Sequence, residues 1–534
     1  MNNDLLNKIT AWEPRAVWTE GGDGMFTVPA DGFHDLAGRL RADGFDFLRS
    51  LTGMDWGEAG FGVVYHLEAT ATGENVVLRT LTPDRERPVL PSVCDLWKAA
   101  ELNEREAFDY FGIRFLNHPD MRRLFLRDDW AGHPLRKDYD PAQNPLRMSN
   151  EVSKDSSPTY ELQPDGSYIR KRNVLFEEDE YVINIGPQHP ATHGVLRFRV
   201  SLEGEIIRKL DVHCGYIHRG IEKMCEELTY PQTLALTDRL DYLGASQNRH
   251  ALCMCIEKGL GVEVPERVQY IRTIMDELNR LSSHLLFWST LCMDLGALTA
   301  FFYGFRDREI VLDMMEETTG GRLIQNYNMI GGVAADIHPN LVKRVKDFIK
   351  YLPKMLDEYD EVFTGNVIAQ QRLKGIGILP KEVAVSYGVT GPSGRASGWS
   401  CDVRKLHPYG VYDRVEFKEC IRTGCDTFDR YMVRMDEIRE SLHILEQLID
   451  NIPEGDYAVK TKPIIRVPEG AYWASVEASR GEFGVYLESR GDKMPYRVKF
   501  RSTGLPLVNV VDTLSRGNKI ADLIAIGGSL DYVV

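Results

Sequence analysis

The sequence predicts an α+β protein in two parts: a small α+β N-terminal domain at residues 1–146, then a mainly α-helical bundle with β-strands at 178–534. Two observations predict this division. Short β-like runs dominate the first part, whereas the second carries four long segments with apolar residues at helical spacing. Between them, residues 147–177 hold few apolar side chains, which is typical of a linker. A chain of 534 residues is long enough for each part to bury a core.

Within the first part, the pattern predicts two helices and a β-hairpin. Asp31 is expected to cap the first helix. The apolar residues that share one face of that helix are Phe33, Leu36, Ala37 and Leu40. Residues 61–68 and 75–81 are β-rich runs around a turn at 71–74, which predicts the hairpin. Ser92 is expected to begin the second helix.

Three charged runs follow, at residues 104–113, 118–123 and 132–138. Each run interleaves charged residues with Gly, Pro or aromatic residues, and such a mixture is not typical of a core. The runs could form a solvated, turn-rich tail or a docking surface for a neighbouring subunit. We favour the docking surface, because paired Arg and Asp side chains in turns suit polar interfaces.

The second part opens with strands and then becomes helical. Helices are expected at residues 230–260, 265–319, 339–364 and 412–452, and a β-rich patch returns at 472–500. This order predicts a helical bundle with β-strands packed on one end.

One stretch, residues 285–305, is apolar enough to resemble a membrane span, although it contains the charged residue Asp294. A carboxylate at the centre of a bilayer costs about 2.5–3.5 kcal/mol. The stretch also continues an amphipathic run and lacks positively charged flanks. We therefore expect a helix that is buried at the centre of the bundle.

A histidine-containing loop lies between two strand-like runs, residues 181–185 and 195–202. It contains His189 and His193, which on a helix would form a metal-binding pair. The two prolines of the loop disfavour a helix, because proline lacks the backbone donor and clashes with the preceding turn. We therefore expect a hairpin loop that presents imidazole to a ligand or a partner, with His189 as structural support.

Charge and cysteine content exclude several functions. The net charge of −15 argues against a nucleic-acid-binding protein. The nine cysteines form no CxxC pair, so the chain is not expected to hold zinc or an iron–sulfur cluster. Neither a P-loop nor a GxGxxG motif occurs, and nucleotide binding is not expected. The odd number of cysteines and the absence of a secretory signal pattern favour a reducing compartment.

Several long motifs occur in order along the second part. They read G-P-Q-H-P-A-T-H-G-V-L-R at 186–197, H-R-G-I-E-K at 218–223, D-R-L-D-Y at 238–242, G-V-T-G-P-S-G-R-A-S-G at 388–398, V-E-A-S-R-G-E at 476–482 and G-S-L-D at 528–531. This series is similar to the 49-kDa (D) subunit of respiratory complex I. In the first part, E-R-E-A-F-D-Y-F-G-I, H-P-D-M-R-R and G-H-P-L-R-K-D resemble its 30-kDa (C) subunit. The whole chain resembles the fused C/D subunits of bacterial NADH–quinone oxidoreductases.

This resemblance implies a peripheral subunit on the cytoplasmic face of the bacterial inner membrane. A B-type subunit with an iron–sulfur cluster would complete the quinone-reduction site, and I-type ferredoxin-like and H-type membrane subunits are further expected partners. His193 and Tyr242 would contact the quinone. Asp294 would be the carboxylate partner of His193, and Arg219 would lie near the cluster. The chain alone would bind no cofactor; quinone is its substrate, and electrons from NADH or ferredoxin would drive proton translocation.

The chemistry of these residue types fits such a site. A quinone that takes up two electrons needs two proton donors, and imidazole and phenol both qualify. Tyr242 is expected on a helix, one turn after Asp238, where a core tyrosine with a satisfied hydroxyl is the alternative. Asp294 can orient and charge-stabilise His193, whereas its alternative is an ion pair with an arginine such as Arg306.

A second resemblance supplies the rival hypothesis. D-type subunits are similar to the large subunit of nickel–iron hydrogenases, so a similar fold without the metal site is expected. Those enzymes hold their metals with two CxxC pairs, whereas Asp241 and Gly244 stand at the first pair here and no cysteine follows Asp531. Without four thiolates a nickel–iron centre cannot be held. The alternative function is therefore a non-catalytic scaffold subunit of a related membrane-bound, hydrogenase-like complex.

The sequence at residues 322–333 bears on the type of quinone that the complex would reduce. Many family members read R-x-H-x-N-Y-x-R-x-G-G-V there, whereas this chain has Ile324 in place of the histidine and Met329 in place of the second arginine. Loss of a hydrogen-bond donor and of a positive charge near the iron–sulfur cluster should lower the reduction potential of the cluster. This predicts a low-potential quinone such as menaquinone rather than ubiquinone, with neutral drift as the alternative.

Overall fold

The computed structural model describes residues 3–143, 158–163, 167–172, 175–177, 179–188 and 194–533, and it confirms a mixed α+β protein. The first part contains α1 (Asn3–Trp12), β1 (Val17–Thr19), β2 (Met25–Pro29), α2 (Ala30–Ala42), β3 (Phe47–Asp55), β4 (Phe61–Ala69), β5 (Glu74–Thr82), β6 (Val89–Pro91), α3 (Ala100–Phe111) and β7 (Arg114–Leu116). Five of these strands form one sheet in the order β1-β2-β5-β4-β3, which is parallel between β2 and β5 and antiparallel elsewhere. The apolar face predicted for α2 is buried against this sheet.

The hairpin predicted around the turn at 71–74 is confirmed, because β4 and β5 pair along their full lengths. The predicted helix starts are wrong. Pro29 precedes α2, and Asp31 instead lies in the first turn, where its carboxylate is 2.9 Å from the guanidinium of Arg15. Ser92 begins no helix, because its hydroxyl donates to the Glu104 carboxylate at 2.7 Å and α3 starts eight residues later.

The first charged run forms α3, and this helix is buried within the chain. Its buried charged residues are Glu104, Arg105, Glu106 and Asp109. Glu106 pairs with Lys499 of the second part. Arg122, from the second charged run, lies 2.6 Å from the carboxylate of Asp211. Part of the predicted docking surface is therefore an interface between the two parts of one chain, where Glu106 and Arg122 meet opposite charges.

The predicted linker contains a hairpin of β8 (Pro158–Leu162) and β9 (Tyr168–Arg172). The Tyr160 amide donates to the Met121 carbonyl at 2.9 Å, which attaches this hairpin to the first part. Beyond it, β10 (Tyr181–Ile185), β11 (Arg197–Glu203) and β12 (Ile206–His213) form an antiparallel sheet with β11 in the centre. This pairing confirms a hairpin around the histidine loop, but His189 and His193 lie outside the described residues.

The remainder of the second part is mostly helical. Its helices are α4 (Ile221–Cys225), α5 (Tyr230–Thr237), α6 (Ala245–Leu260), α7 (Glu266–Asp294), α8 (Leu298–Thr319), α9 (Leu341–Tyr359), α10 (Val367–Leu373), α11 (Lys381–Tyr387), α12 (Gly391–Arg395), α13 (Val403–Leu406), α14 (Thr427–Leu448), α15 (Gly504–Asn509), α16 (Val511–Ser515) and α17 (Ile520–Leu530). Its later strands are β13 (Asn328–Met329), β14 (Gly332–Val333), β15 (Gly470–Ala478), β16 (Gly481–Ser489) and β17 (Arg497–Arg501). The last three form an antiparallel sheet that packs on α6, as the β-rich patch at 472–500 predicts.

Three of the predicted long helices are interrupted or shorter. A 3₁₀ turn at Tyr242–Gly244 separates α5 from α6. Gly296, with a φ of +87° that side chains disfavour, lies in the short connection between α7 and α8. Residues 412–426, all of them described, contain only a 3₁₀ turn, because α14 begins where Asp426 accepts a hydrogen bond from the Asp429 amide.

The apolar stretch 285–305 is therefore two helix segments rather than one buried helix. Its first half is buried in α7, as expected. Its second half starts α8 and exposes Leu298 and Phe302 by 56% and 60%. Asp294 is the last residue of α7, not the middle of a helix. Among the described residues, no helix combines the length and the apolar character that crossing a membrane requires.

Candidate functional site

Tyr242 lies on the 3₁₀ turn between α5 and α6, and its side chain is 46% exposed. The carboxylate of Asp241 accepts a hydrogen bond from the Leu243 amide at 3.0 Å, which fixes the start of the turn. From the other side, the Asn279 amide of α7 donates to the Leu243 carbonyl at 2.9 Å. The phenol is thus presented at the surface on a firmly held backbone, and it is not the core tyrosine of the alternative hypothesis.

Asp238 does not share a helix face with Tyr242, because α5 ends before both residues. Asp238 is fully buried, and its carboxylate lies 3.4 Å from the guanidinium of Arg249. Burial raises the pKa of Asp238 to about 6, against the opposing effect of Arg249. The predicted one-turn relation between Asp238 and Tyr242 is therefore wrong.

Arg480 occupies the centre of the site behind this turn. Its buried guanidinium lies 3.3 Å from the carboxylate of Asp241 and 3.1 Å from that of Asp531, and it donates to the Ser283 hydroxyl at 3.1 Å. Burial opposes the charge, but the two carboxylates outweigh it and raise the pKa of Arg480. A nickel–iron centre would need thiolates at the positions around Asp241 and Asp531. In this structure both carboxylates instead neutralise the guanidinium of Arg480.

A second cluster of buried charges lies deeper in the bundle. Arg395 is 2.7 Å from the carboxylates of both Glu437 and Glu477, and His284 is 2.8 Å from Glu437. Burial raises the pKa of Glu477 to about 7. The sequence alone assigns no role to Arg395, Glu477 or Arg480, although all three stand inside the motifs at 388–398 and 476–482. Charged residues within Gly- and Ala-rich motifs are the sequence feature that could indicate these buried ion pairs.

Asp294 is half-buried at the C-terminal end of α7. Its charge acts on Tyr532, a buried residue whose pKa is raised first by burial and then by Asp294. Arg306, the alternative ion-pair partner, is engaged elsewhere, at 2.7 Å from Asp307 and 3.3 Å from Glu358. The expected partner His193 lies outside the described residues, so its pairing with Asp294 stays a prediction.

Arg219 is exposed on the loop that leads from β12 to α4. The first part of the chain supports this loop: the hydroxyl of Tyr110 lies 3.0 Å from Nε2 of His218, and the two rings stack with centroids 5.4 Å apart. The imidazole of His218 stacks on the rings of Tyr110 and Phe125, and the resulting loss of hydration lowers its pKa, which favours the neutral form. Arg219 also lines a cavity of about 240 Å³, together with Arg239 and residues of both parts of the chain. A positive side chain is thus placed at the surface by contacts within the chain.

The loop at 322–333 is fixed by polar contacts. Arg322 pairs with acidic residues of α8, including Asp313 at 2.7 Å. Ile324 is half-buried, and Met329 is exposed, with its sulfur 3.3 Å from a guanidinium nitrogen of Arg249.

One group of potential metal ligands occurs in the described part of the chain: Cys94, Glu104 and His118. Its geometry does not favour a metal. His118 accepts from the Asp120 amide at Nδ1 and contacts the Glu101 carbonyl at 3.0 Å through Nε2, so both ring nitrogens are used. Burial raises the pKa of Glu104 to about 7 and raises that of the Cys94 thiol. These groups form a hydrogen-bonded core cluster.

Comparison with known protein families defines the class of this chain. Residues 26–145 match the family "Respiratory-chain NADH dehydrogenase, 30 Kd subunit", and residues 294–534 match "Respiratory-chain NADH dehydrogenase, 49 Kd subunit". The two matches follow one another in a single chain, as the motifs predict. The class is therefore that of respiratory complex I subunits.

Similar proteins narrow the assignment. The chain is 72% identical over 508 residues to the C/D subunit of NADH-quinone oxidoreductase from Phocaeicola vulgatus, which covers 95% of this chain and 98% of the relative. It is 38% identical to the C/D subunit from Nitrosospira multiformis, over 89% of this chain and 82% of the relative. It is 43% identical to the separate D subunit from Geobacillus kaustophilus, over 68% of this chain and 99% of the relative. The chain belongs to the family of C/D subunits of NADH-quinone oxidoreductase.

Proposed function

We propose that this chain forms one wall of the quinone-reduction site of a proton-translocating NADH-quinone oxidoreductase. Tyr242 and His193 donate hydrogen bonds and protons to the quinone, and Asp294 is the carboxylate partner of His193. The observation that carries this proposal is the half-exposed phenol of Tyr242, held on a short turn by Asp241 and Asn279. A proton donor must reach the substrate while its own backbone stays fixed, and this turn meets both needs.

The buried charges behind the turn support the same role. Arg480 neutralises Asp241, so the carboxylate that fixes the turn does not repel the negative charge that builds on a reduced quinone. The chain supplies no redox centre of its own in this proposal. Electrons reach the quinone from an iron–sulfur cluster on a B-type partner, after oxidation of NADH or ferredoxin by other subunits.

Exposed apolar side chains support the expectation of a partner subunit. Tyr216 and Ile217 are exposed next to Arg219, and Leu298 and Phe302 are exposed at the start of α8. Exposed apolar groups near an exposed cation are typical of a surface that another subunit covers. We assign Arg219 to the neighbourhood of the partner's cluster, where its positive charge stabilises the reduced state.

The domain order and location follow from this assignment. Residues 1–146 form the C-type domain, 147–177 the linker and 178–534 the D-type domain. I-type and H-type subunits complete the surroundings, and the assembly places the chain as a peripheral subunit on the cytoplasmic face of the inner membrane.

The test is quinone reduction by the assembled complex that carries Tyr242→Phe. We expect a loss of about 10²–10⁴-fold, the usual contribution of a positioned proton donor. NADH–ferricyanide activity reports on the upstream centres and should stay normal. Tyr181→Phe is the matched control, because Tyr181 is an exposed tyrosine at the end of β10 that lies away from the histidine loop. Normal quinone reduction by the assembled Tyr242→Phe complex would instead support the non-catalytic scaffold.

A further inference from the structure

The position of Arg219 is set by its backbone rather than by contacts of its own side chain. Arg219 is exposed, and its guanidinium pairs with no group in the described part of the chain. It lies on residues 214–220, here called the Arg219 loop, which join β12 to α4. A hydrogen bond from the His218 amide to the Gly215 carbonyl, at 3.1 Å, closes one turn within this loop. The place of the positive charge therefore depends on what holds the loop from outside.

The first part of the chain holds the Arg219 loop before Arg219. Gly215, with a φ of +103°, lies directly against Phe125, because a β-carbon at Gly215 would overlap the Phe125 carbonyl. Three residues later, the imidazole of His218 packs on the rings of Phe125 and Tyr110, with centroids 5.4 Å apart in both pairs. The Tyr110 hydroxyl lies 3.0 Å from Nε2 of His218. The residue next to Arg219 is thus attached to the first part through its side chain.

The segment after Arg219 is attached to the first part as well. The ammonium of Lys223, on α4, donates to the Arg136 carbonyl at 3.3 Å. Lys137 lies 2.9 Å from the carboxylate of Glu226, just beyond α4. Contacts between the two parts of the chain therefore lie on both sides of Arg219.

Tyr110 is the most firmly held of the residues that support the Arg219 loop. It is 4% exposed and lies on α3, the helix that is buried between the two parts. Its ring stacks on that of Phe125, with centroids 5.8 Å apart. A buried tyrosine usually hydrogen-bonds its hydroxyl, and here the partner of that hydroxyl belongs to the Arg219 loop. The position of α3 is therefore passed to the loop through one ring and one hydroxyl.

We propose that Tyr110 is a positioning residue for Arg219, through which the first part of the chain sets where this positive charge meets the partner's iron–sulfur cluster. This inference rests on the proposed function, which places Arg219 beside that cluster. A positive charge that is held close to a cluster stabilises its reduced form and raises its reduction potential. The first part of the chain thereby acts on electron transfer to quinone as well as on assembly.

Hydrogen exchange of the purified full chain tests the support of the loop. In Tyr110→Leu, amide exchange at residues 214–220 should become about 10-fold to 100-fold faster, the range for loss of one hydrogen bond and one aromatic contact. Tyr110→Phe retains the ring and loses the hydrogen bond, so the increase should be about 2-fold to 10-fold. This measurement depends neither on the partner nor on quinone chemistry.

Tyr65→Phe is the matched control. Tyr65 is a buried tyrosine on β4 whose ring contacts that of Phe33 at 4.6 Å, and its hydroxyl makes no hydrogen bond in the described part of the chain. Exchange at the Arg219 loop should therefore stay unchanged in Tyr65→Phe. Equal increases in Tyr65→Phe and Tyr110→Phe would indicate a general loss of stability and would overturn the role of Tyr110.

The assembled complex tests the consequence for electron transfer. In a redox titration, Tyr110→Leu should lower the reduction potential of the terminal cluster, by part of the shift that Arg219→Gln causes. Tyr110→Phe should recover most of the potential, and NADH–ferricyanide activity should be normal in all three variants. Tyr110→Leu should cause little further shift when it is added to Arg219→Gln, because the charge that it positions is already gone.

The outcomes separate this inference from the proposed function. A lower potential in Arg219→Gln together with an unchanged potential in Tyr110→Leu would overturn the role of Tyr110, and so would unchanged exchange at the Arg219 loop. An unchanged potential in Arg219→Gln would instead overturn the place that the proposed function gives to Arg219. If Tyr110→Leu does not assemble, Phe125→Leu removes the other ring contact of His218 and is judged by the same outcomes.

Discussion

Arg480→Met tests whether the buried charges hold the candidate site together. The substitution removes the guanidinium that lies between Asp241 and Asp531 and leaves two buried carboxylates without their cation. Breaking a buried ion pair from one side costs about 3–5 kcal/mol, so the free energy of unfolding should fall by about this amount. Denaturant titration of the full chain, followed by tryptophan fluorescence and circular dichroism, measures the loss.

Removing the stranded charges provides the control. Arg480→Met combined with Asp241→Asn and Asp531→Asn should recover most of the stability, because no uncompensated buried charge remains. A free energy of unfolding within about 1 kcal/mol of the unchanged chain for Arg480→Met alone would refute the reasoning. An additive loss in the triple variant would do the same.

Three further outcomes are expected. Burial raises the pKa of Glu104 and of Glu477 to about 7 from the ordinary value of 4.5. The contribution of these two carboxyl groups to stability is therefore present below pH 4.5 and is lost as the pH rises through 7. Glu104→Gln should make the unfolding midpoint depend less on pH between these two values. Metal analysis of the purified chain should find no stoichiometric iron, nickel or zinc, since both ring nitrogens of His118 are used and no CxxC pair exists. In the assembled complex, Ile324→His should raise the reduction potential of the terminal cluster and make that potential fall with rising pH. A reduction potential that is already high and pH-dependent in the unchanged complex would contradict the low-potential hypothesis.

Local signals explain what the sequence predicts well. β-rich runs on both sides of a turn mark the β4–β5 hairpin, and strand-like runs likewise mark both sides of the histidine loop. The motif series indicates the family, and the comparisons confirm it.

Breaks in long helices are harder to predict, because apolar periodicity continues across them. The turn at Tyr242–Gly244 follows from Asp241 and Asn279, whose hydrogen bonds depend on tertiary contacts. Gly296 is a local signal for the end of α7, but the apolar residues on both sides suggest one continuous helix.

The partners of buried charges are the least predictable feature. Glu106 pairs with Lys499, almost 400 residues away, and periodicity within α3 contains no trace of that partner. In the sequence, a charged segment therefore resembles a solvated or docking surface, because the opposite charges are distant along the chain and come close to it only in the folded protein. The same reason explains why the sequence indicates nothing about the partners of Arg480 beyond its place in the motif at 476–482.

Photolabelling of the assembled complex with an azido-quinone tests most directly whether this chain forms the quinone site. We expect a covalent adduct on the peptide that contains Tyr242, and this labelling should disappear in the presence of excess unlabelled quinone. Mass spectrometry of the digested complex identifies the labelled peptide. Competable labelling confined to other subunits, with none near Tyr242, would contradict the account.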